Sequence, residues 1–159
     1  MKKIGIVLVL LTALGKADIY AQKQQGVMIS AKAAESFRTQ FNGASSIRWK
    51  ESSETGGYLA DFVYNGKATR AFYDADGNLA GTARLLTEEQ LPILVTKTLT
   101  SSYAQYEIRE ITEVTRPEET KYLVTLYSDR QTIYLRMYAD GSAQVVRKQK
   151  NKKINFHRN

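Results

Sequence analysis

Few residues of this sequence could carry out chemistry. Cysteine is absent and His157 is the only histidine, which excludes disulfide frameworks, thiol nucleophiles, zinc fingers and triads that need an imidazole inside the domain. Carboxylates remain, notably Asp61 and Asp74, and a pair could serve as general acid and base if a pocket shifted one pKa. Arg70, on a neighbouring predicted strand, instead favours a solvated ion pair. We therefore expect a protein that is not an enzyme.

Residues 74–78, with the sequence DADGN, resemble the beginning of a calcium-binding loop. Such a loop needs a later acidic residue to complete the coordination shell, and the residues before Glu88 and Glu89 are typical of a strand. A hairpin turn with Gly77 at positive φ explains the same residues, and we favour that interpretation. No metal site and no cofactor are predicted.

The first 21 residues have the features of an export signal. Lys2 and Lys3 supply a positive start, residues 4–14 are apolar, and residues 19–21 form a cleavage tripeptide. A membrane-spanning helix, the alternative, needs about 20 apolar residues, roughly twice the length of this run. We predict cleavage between Ala21 and Gln22, and a mature chain that is periplasmic or secreted.

The rest of the chain has the composition of one folded domain. Of the 159 residues, 43% are hydrophobic and 25% are charged. The net charge is +7, but residues 22–146 carry 14 basic and 15 acidic groups, whereas six basic and no acidic residues follow Val146. We predict a solubilising basic tail over residues 149–159 and no nucleic-acid partner; a specific anion-binding tail is the alternative.

Two stretches of the sequence resemble each other at an offset of 64 residues. YLADF, from Tyr58, has its counterpart in YLVTL, from Tyr122, and Asp76-Gly77 has its counterpart in Asp140-Gly141. We predict a linker over residues 22–29 and one domain over residues 30–148, made of two repeats, 30–86 and 87–148. The predicted fold class is α+β: a tandem duplication of a helix plus several antiparallel strands, with the helices on one face.

Cap and turn residues place the elements. An apolar stripe predicts a first helix over residues 30–41, and a Thr87/Gln90 capping box predicts that the second helix begins at Thr87, with Pro92 in its first turn. Asn65-Gly66 is typical of a two-residue hairpin turn, which fixes the register of the strands on either side. The apolar residues of each hairpin then share one side of the sheet.

Two further expectations concern the second repeat. The acidic residues between Glu107 and Glu119 are typical of a solvated edge, ended by Pro117. The register also places Val145 opposite Leu135, in the core.

The face turned away from the helices is the predicted binding surface. One helix per repeat covers only one side of an antiparallel sheet, so the other side meets solvent or a partner. That side carries tyrosines and arginines, the residue types that anchor protein interfaces. The predicted partner-binding residues are Leu59, Arg70, Phe72, Tyr127, Tyr134, Arg136 and Tyr138.

The motifs of the sequence resemble those of a known family. They are Phe37-x3-Phe41, Ile47-x-Trp49, AFYDADG from Ala71, and Leu91-Pro92 opening a helix. Together, over about residues 30–146, they resemble the PepSY-like, beta-lactamase-inhibitor-like family of exported bacterial proteins. The resemblance implies two tandem units, each a helix plus a four-stranded antiparallel unit, forming one curved antiparallel sheet with helices on one face. This fold is similar to that of beta-lactamase inhibitory protein, which grips an enzyme with the concave face of its sheet. The resemblance also implies a protein partner, such as an exported peptidase.

We therefore predict a non-enzymatic periplasmic binding protein, inhibitor-like, that engages a protein through the open sheet face. The main alternative is a carrier of a small molecule or envelope ligand, with an apolar pocket between helices and sheet. A hydrolase, the third hypothesis, requires convergent carboxylates in a cleft.

Overall fold

Eight antiparallel strands and two α-helices make up the computed structural model, which describes residues 27–52 and 56–151. The strands lie side by side in chain order in one curved sheet, and the order of a helix followed by four strands occurs twice. The predicted α+β class is confirmed. The elements are α1 (Ala31–Gln40), β1 (Ser45–Glu51), β2 (Tyr58–Tyr64), β3 (Lys67–Tyr73), β4 (Leu79–Leu85), α2 (Ile93–Ser102), β5 (Glu107–Arg116), β6 (Glu119–Tyr127), β7 (Gln131–Tyr138) and β8 (Ala143–Lys150).

Both ends of the sequence lie outside the described residues. These ends include the predicted export signal with its cleavage site, most of the predicted linker, and the basic tail from residue 152 onward. Within the described ranges, no helix has the length and apolar character needed to cross a membrane.

The predicted hairpin registers are confirmed. Tyr64 pairs with Lys67 across a turn in which Asn65 and Gly66 both have positive φ, as a two-residue hairpin turn requires. In the second half, β6 and β7 pair in the corresponding register, which sets Leu126 opposite Ile133.

Both helices pack on the same face of the sheet. Phe37 of α1 is fully buried and its ring centroid lies 4.8 Å from that of Phe62 on β2. Val95 and Leu99 of α2 belong to a second buried cluster that includes Leu126. Two apolar clusters, one under each helix, therefore stabilise the sheet from one side and leave its other side without a helical layer.

The two Asp-Gly turns contact the helices. A Cβ atom at Gly77 would lie 2.8 Å from Ser30 Oγ, at the start of α1, and one at Gly141 would lie 2.7 Å from Leu94 O in α2. The hydroxyl of Thr98 also donates to the carbonyl of Gly141 at 2.8 Å. Both glycines have positive φ, so each permits the turn and a close backbone contact with a helix.

The predicted start of the second helix was wrong. The Thr87/Gln90 capping box closes a separate 3₁₀ turn, in which the Thr87 amide donates to Gln90 Oε1 at 3.1 Å, and α2 begins only at Ile93. Leu91 precedes Pro92 and is extended, with ψ 147°. The proline ring disfavours helical geometry in the residue before it, so one continuous helix cannot form there.

Two expectations for the second half were also wrong. The acidic strand β5 is not an edge, because it pairs with β4 on one side and β6 on the other. Val145 does pair with Leu135, but its side chain is 41% exposed. Its strand, β8, is the edge of the sheet and is exposed along its whole length.

Candidate functional site

The helix-free face of the sheet forms a concave groove of about 1070 Å³. Strand pairing puts alternate residues of every strand on this face, and the curvature of the sheet brings those of β1 to β6 around one concavity. Its lining residues from this face include Arg48, Asp61, Val63, Ala68, Arg70, Phe72, Ala83, Leu85, Glu110, Thr112, Val114 and Leu123.

A cluster of charged residues lies at one side of the groove. Arg70 Nε is 2.5 Å from Asp61 Oδ1, and Lys50 Nζ is 3.1 Å from Asp61 Oδ2. The hydrogen bond from Arg70 is the main reason that the pKa of Asp61 is lowered, and burial opposes it. The same bond raises the pKa of Arg70. Asp61 is therefore held as a carboxylate, which suits binding and does not suit a general acid at neutral pH.

The side of the groove formed by β4 to β6 carries an apolar patch. Leu85 on β4 and Leu123 on β6 are 55% and 40% exposed, although both are large aliphatic side chains. Val114 on β5 lies between their strands and is half-buried. An apolar patch with charged residues beside it is typical of a protein interface, which has an apolar core and a polar rim.

The predicted binding residues all lie on the helix-free face, but only two of them line the groove. Arg70 and Phe72 do so, and Leu59 pairs with Phe72 on the same face. The other four lie on β6 and β7, beside the groove and not in its lining: Tyr127, Tyr134, Arg136 and Tyr138.

Two of these tyrosines stack against arginines of their own chain. The guanidinium of Arg109 lies 4.5 Å from the ring centroid of Tyr127, and that of Arg147 lies 4.1 Å from the ring centroid of Tyr134. Such stacking holds the guanidinium groups in place by cation–π attraction. It also occupies one ring face of each tyrosine.

The second predicted carboxylate, Asp74, has a structural role. It accepts hydrogen bonds from the backbone amide of Asn78 at 2.7 Å and from the side-chain amide of Asn78 at 2.9 Å, which close the turn between β3 and β4. These bonds lower the pKa of Asp74. The hairpin interpretation of residues 74–78 is confirmed, and among the described residues no group of three or more acidic, histidine or cysteine side chains could hold a metal ion.

Several groove residues, especially those of β4 and β5, were not predicted from the sequence. Ala83 pairs with Val114, and Leu85 pairs with Thr112, across the junction of the two halves. No turn dipeptide fixes this register, because a helix separates the two strands in the chain. The alternation of apolar and polar residues up to Leu85 was the one sequence pattern that could have indicated these groove residues.

Comparisons with known proteins support the fold. Scans against protein-family models and curated proteins found no match. Several solved structures are similar: a Bacteroides eggerthii protein provisionally assigned to the periplasm (TM-score 0.67, 19% identity, 78% of this chain and 90% of that one) and a BLIP-like protein from Bacteroides fragilis (0.66, 19%, 82% and 93%). A DUF2874 family protein from Bacteroides ovatus is similar too (0.68, 18%, 79% and 89%). At this identity the likeness shows a shared fold.

Proposed function

We propose that this chain is an exported, non-enzymatic binding module that holds a protein partner against the concave, helix-free face of its sheet. The observation that carries the proposal is the groove of about 1070 Å³ on that face, in which exposed aliphatic side chains lie beside an ion-paired cluster. Exposed apolar surface of this kind is typical of interaction sites.

The location of the groove on the concave face favours a protein partner over the two alternatives, a carrier of a small molecule or envelope ligand and a hydrolase. The space between helices and sheet, where a carrier pocket was predicted, holds fully buried side chains such as Phe37, Val95 and Leu126. The hydrolase hypothesis required convergent carboxylates, but Asp61 is neutralised by two cations and Asp74 closes a turn. The groove is large and open on one side, so it can accommodate side chains from the surface of a protein partner.

The export part of the proposal rests on the first 21 residues and on the neighbours. One similar structure is that of a protein provisionally assigned to the periplasm, and another is that of a BLIP-like protein. These descriptions support an exported, BLIP-like family with an inhibitor-like role. The PepSY-like assignment and the repeat boundaries at residues 30–86 and 87–148 stay predictions.

Capture by the immobilised mature chain tests the proposal. Residues 22–159 are exposed to an envelope extract of the source organism. The comparison is with Leu123→Asp, which places a charge in the groove, and with the matched control Ile93→Asp on α2, where the side chain is 80% exposed. Retention of one protein by the natural chain and the control, but not by Leu123→Asp, is expected. Equal retention by all three would contradict the proposal.

A second pair of variants locates the contact surface. Arg70→Ala with Phe72→Ala alters the groove, and Tyr134→Ala with Arg136→Ala alters the predicted residues beside it. If the partner covers the whole helix-free face, both pairs of substitutions are expected to lower the affinity for the retained protein. If the second pair retains full affinity while the first loses it, the interface is confined to the groove.

A further inference from the structure

Folding separates the charges of a nearly neutral sequence. Residues 22–146 carry 14 basic and 15 acidic groups. Strand pairing, with the stacking of Arg109 on Tyr127, nevertheless places seven of these basic and only four of these acidic side chains on the helix-free face, with Arg147 as an eighth cation. The other acidic residues that the structure describes are in α1, in turns and on the helix-covered side. The binding face is therefore basic although the sequence around it is not.

Three of the four acidic side chains of this face form ion pairs with four of its eight cations. Asp61 pairs with Lys50 and Arg70. Glu107 pairs with Arg109 at 3.1 Å. Glu119 pairs with Lys121 at 2.5 Å. Glu110 makes no ion pair with another described residue, and Arg147 stacks on Tyr134.

Apart from Arg147, three arginines of the face have no carboxylate partner within the described chain. They are Arg48, Arg116 and Arg136. Arg48 lines the groove, Arg136 pairs in the sheet with groove-lining Leu123, and Arg116 lies two residues along β5 from groove-lining Val114. Arg136 donates one hydrogen bond, to Gln144 Oε1 at 3.4 Å. A guanidinium can bind a carboxylate through two hydrogen bonds, so these three are available for a partner.

We propose that the groove selects an extended acidic segment of the partner protein. Carboxylates of that segment pair with Arg48, Arg116 and Arg136, and its aliphatic side chains pack against Leu85 and Leu123 between them. The inference rests on the proposed function and adds the chemistry of the partner. The three arginines lie on β1, β5 and β7, so they span about six strand spacings, or roughly 29 Å at about 4.8 Å each.

The geometry disfavours two other anionic partners. A lipid bilayer is flat, whereas the basic face is concave, so most of its cations cannot reach one plane of headgroups. Single-stranded nucleic acid binds by stacking bases on aromatic rings, whereas Tyr127 and Tyr134 each have one ring face covered by an arginine. An acidic protein segment uses both the unpaired guanidinium groups and the aliphatic patch of the groove.

Synthetic peptides test the inference directly. The probe is a fluorescent peptide of about 12 residues with the repeat Glu-Ser-Leu-Ser, which sets Glu and Leu on the same side of an extended chain and spans about 40 Å at about 3.3 Å per residue. Its partner probe has Gln at every Glu position. Fluorescence anisotropy measures the affinity of each for the mature chain, in about 0.05 M and about 0.5 M salt. We expect the Glu peptide to bind at least about tenfold more tightly at low salt, and high salt to shrink the difference.

Variants assign that preference to residues. Arg48→Gln combined with Arg136→Gln is expected to remove most of the preference for Glu, and Lys97→Gln on α2 serves as a control of a similar kind. Equal affinity for the two peptides, or no binding of either, would overturn the inference. If the two peptides bind with equal affinity and Leu123→Asp binds neither, the inference fails but the proposed function is still supported. Tighter binding, through the same arginines, of phosphatidylglycerol vesicles or oligothymidylate would overturn the inference in favour of another anion.

Discussion

Replacing Tyr73 by phenylalanine should stabilise this protein. Tyr73 is 2% exposed, and its hydroxyl has no hydrogen-bond partner among the described residues. A buried polar group without a partner costs about 1–3 kcal/mol relative to water. Tyr73→Phe keeps the ring, which packs against Trp49 with a centroid distance of 5.4 Å, and removes only the hydroxyl. We expect the free energy of unfolding to rise by about 1 kcal/mol.

Chemical denaturation of the natural chain and the variant measures this change. The denaturant midpoint should rise while the m-value stays the same, because the surface buried on folding hardly changes. Tyr138→Phe, in a half-buried tyrosine on the helix-free face, is the control and should change stability by less than about 0.5 kcal/mol. A loss of about 1 kcal/mol or more in Tyr73→Phe would refute the reasoning, since it would mean that the hydroxyl has a partner.

The same substitution should change how stability depends on alkaline pH. Burial raises the pKa of Tyr73 above its ordinary value. The unfolded chain therefore loses this proton at a lower pH than the folded chain does. The free energy of unfolding does not depend on this group below a pH of about 10, and it falls as the pH rises above that value. The natural chain should lose stability relative to Tyr73→Phe by up to about 1.4 kcal/mol per pH unit in that range. Parallel stability curves above a pH of about 10 would contradict this.

Three further predictions concern the turns, the charged cluster and the two faces of the sheet. Gly141→Ala should destabilise the chain by at least about 1 kcal/mol more than Gly66→Ala in thermal unfolding, since both have positive φ but only the first contacts a helix; equal losses would contradict the contact. Asp61→Asn should cost less than about 1 kcal/mol near neutral pH in urea unfolding. Because the pKa of Asp61 is lowered in the folded chain, its carboxylate stabilises the fold above a pH of about 4. The difference in stability between the two chains should therefore disappear as Asp61 becomes protonated at lower pH. Leu126→Ala should cost about 3 kcal/mol and Leu123→Ala less than about 1 kcal/mol in the same assay; similar losses would mean that the faces are wrongly assigned.

Most of the fold could be predicted because its determinants are local. Asn65-Gly66 fixes one hairpin, and apolar alternation then decides which side of the sheet is covered. The start of α2 was missed because two local preferences compete there. The capping box favours a helical turn, but Pro92 forces Leu91 to be extended, so the turn and the helix are separate.

The groove could be predicted only in part, because it depends on long-range pairing and curvature. Arg70 and Phe72 lie in a hairpin whose register the sequence fixes, and both line the groove. Val114 lines it as well, but it reaches the groove through the β4–β5 pairing across an intervening helix. The basic character of the face depends on the same pairing, and the near-neutral total charge of the domain conceals it.

Site-directed photo-cross-linking tests the binding face most directly. A photo-reactive benzoylphenylalanine replaces Leu85 in the groove, or Ile93 on α2 as the control, and the chain is illuminated in the intact cell envelope. Both side chains are well exposed, at 55% and 80%. We expect one defined protein adduct from the groove position and none from the control. An adduct formed only from the helix position, or equally from both, would contradict the central claim that the concave face binds the partner.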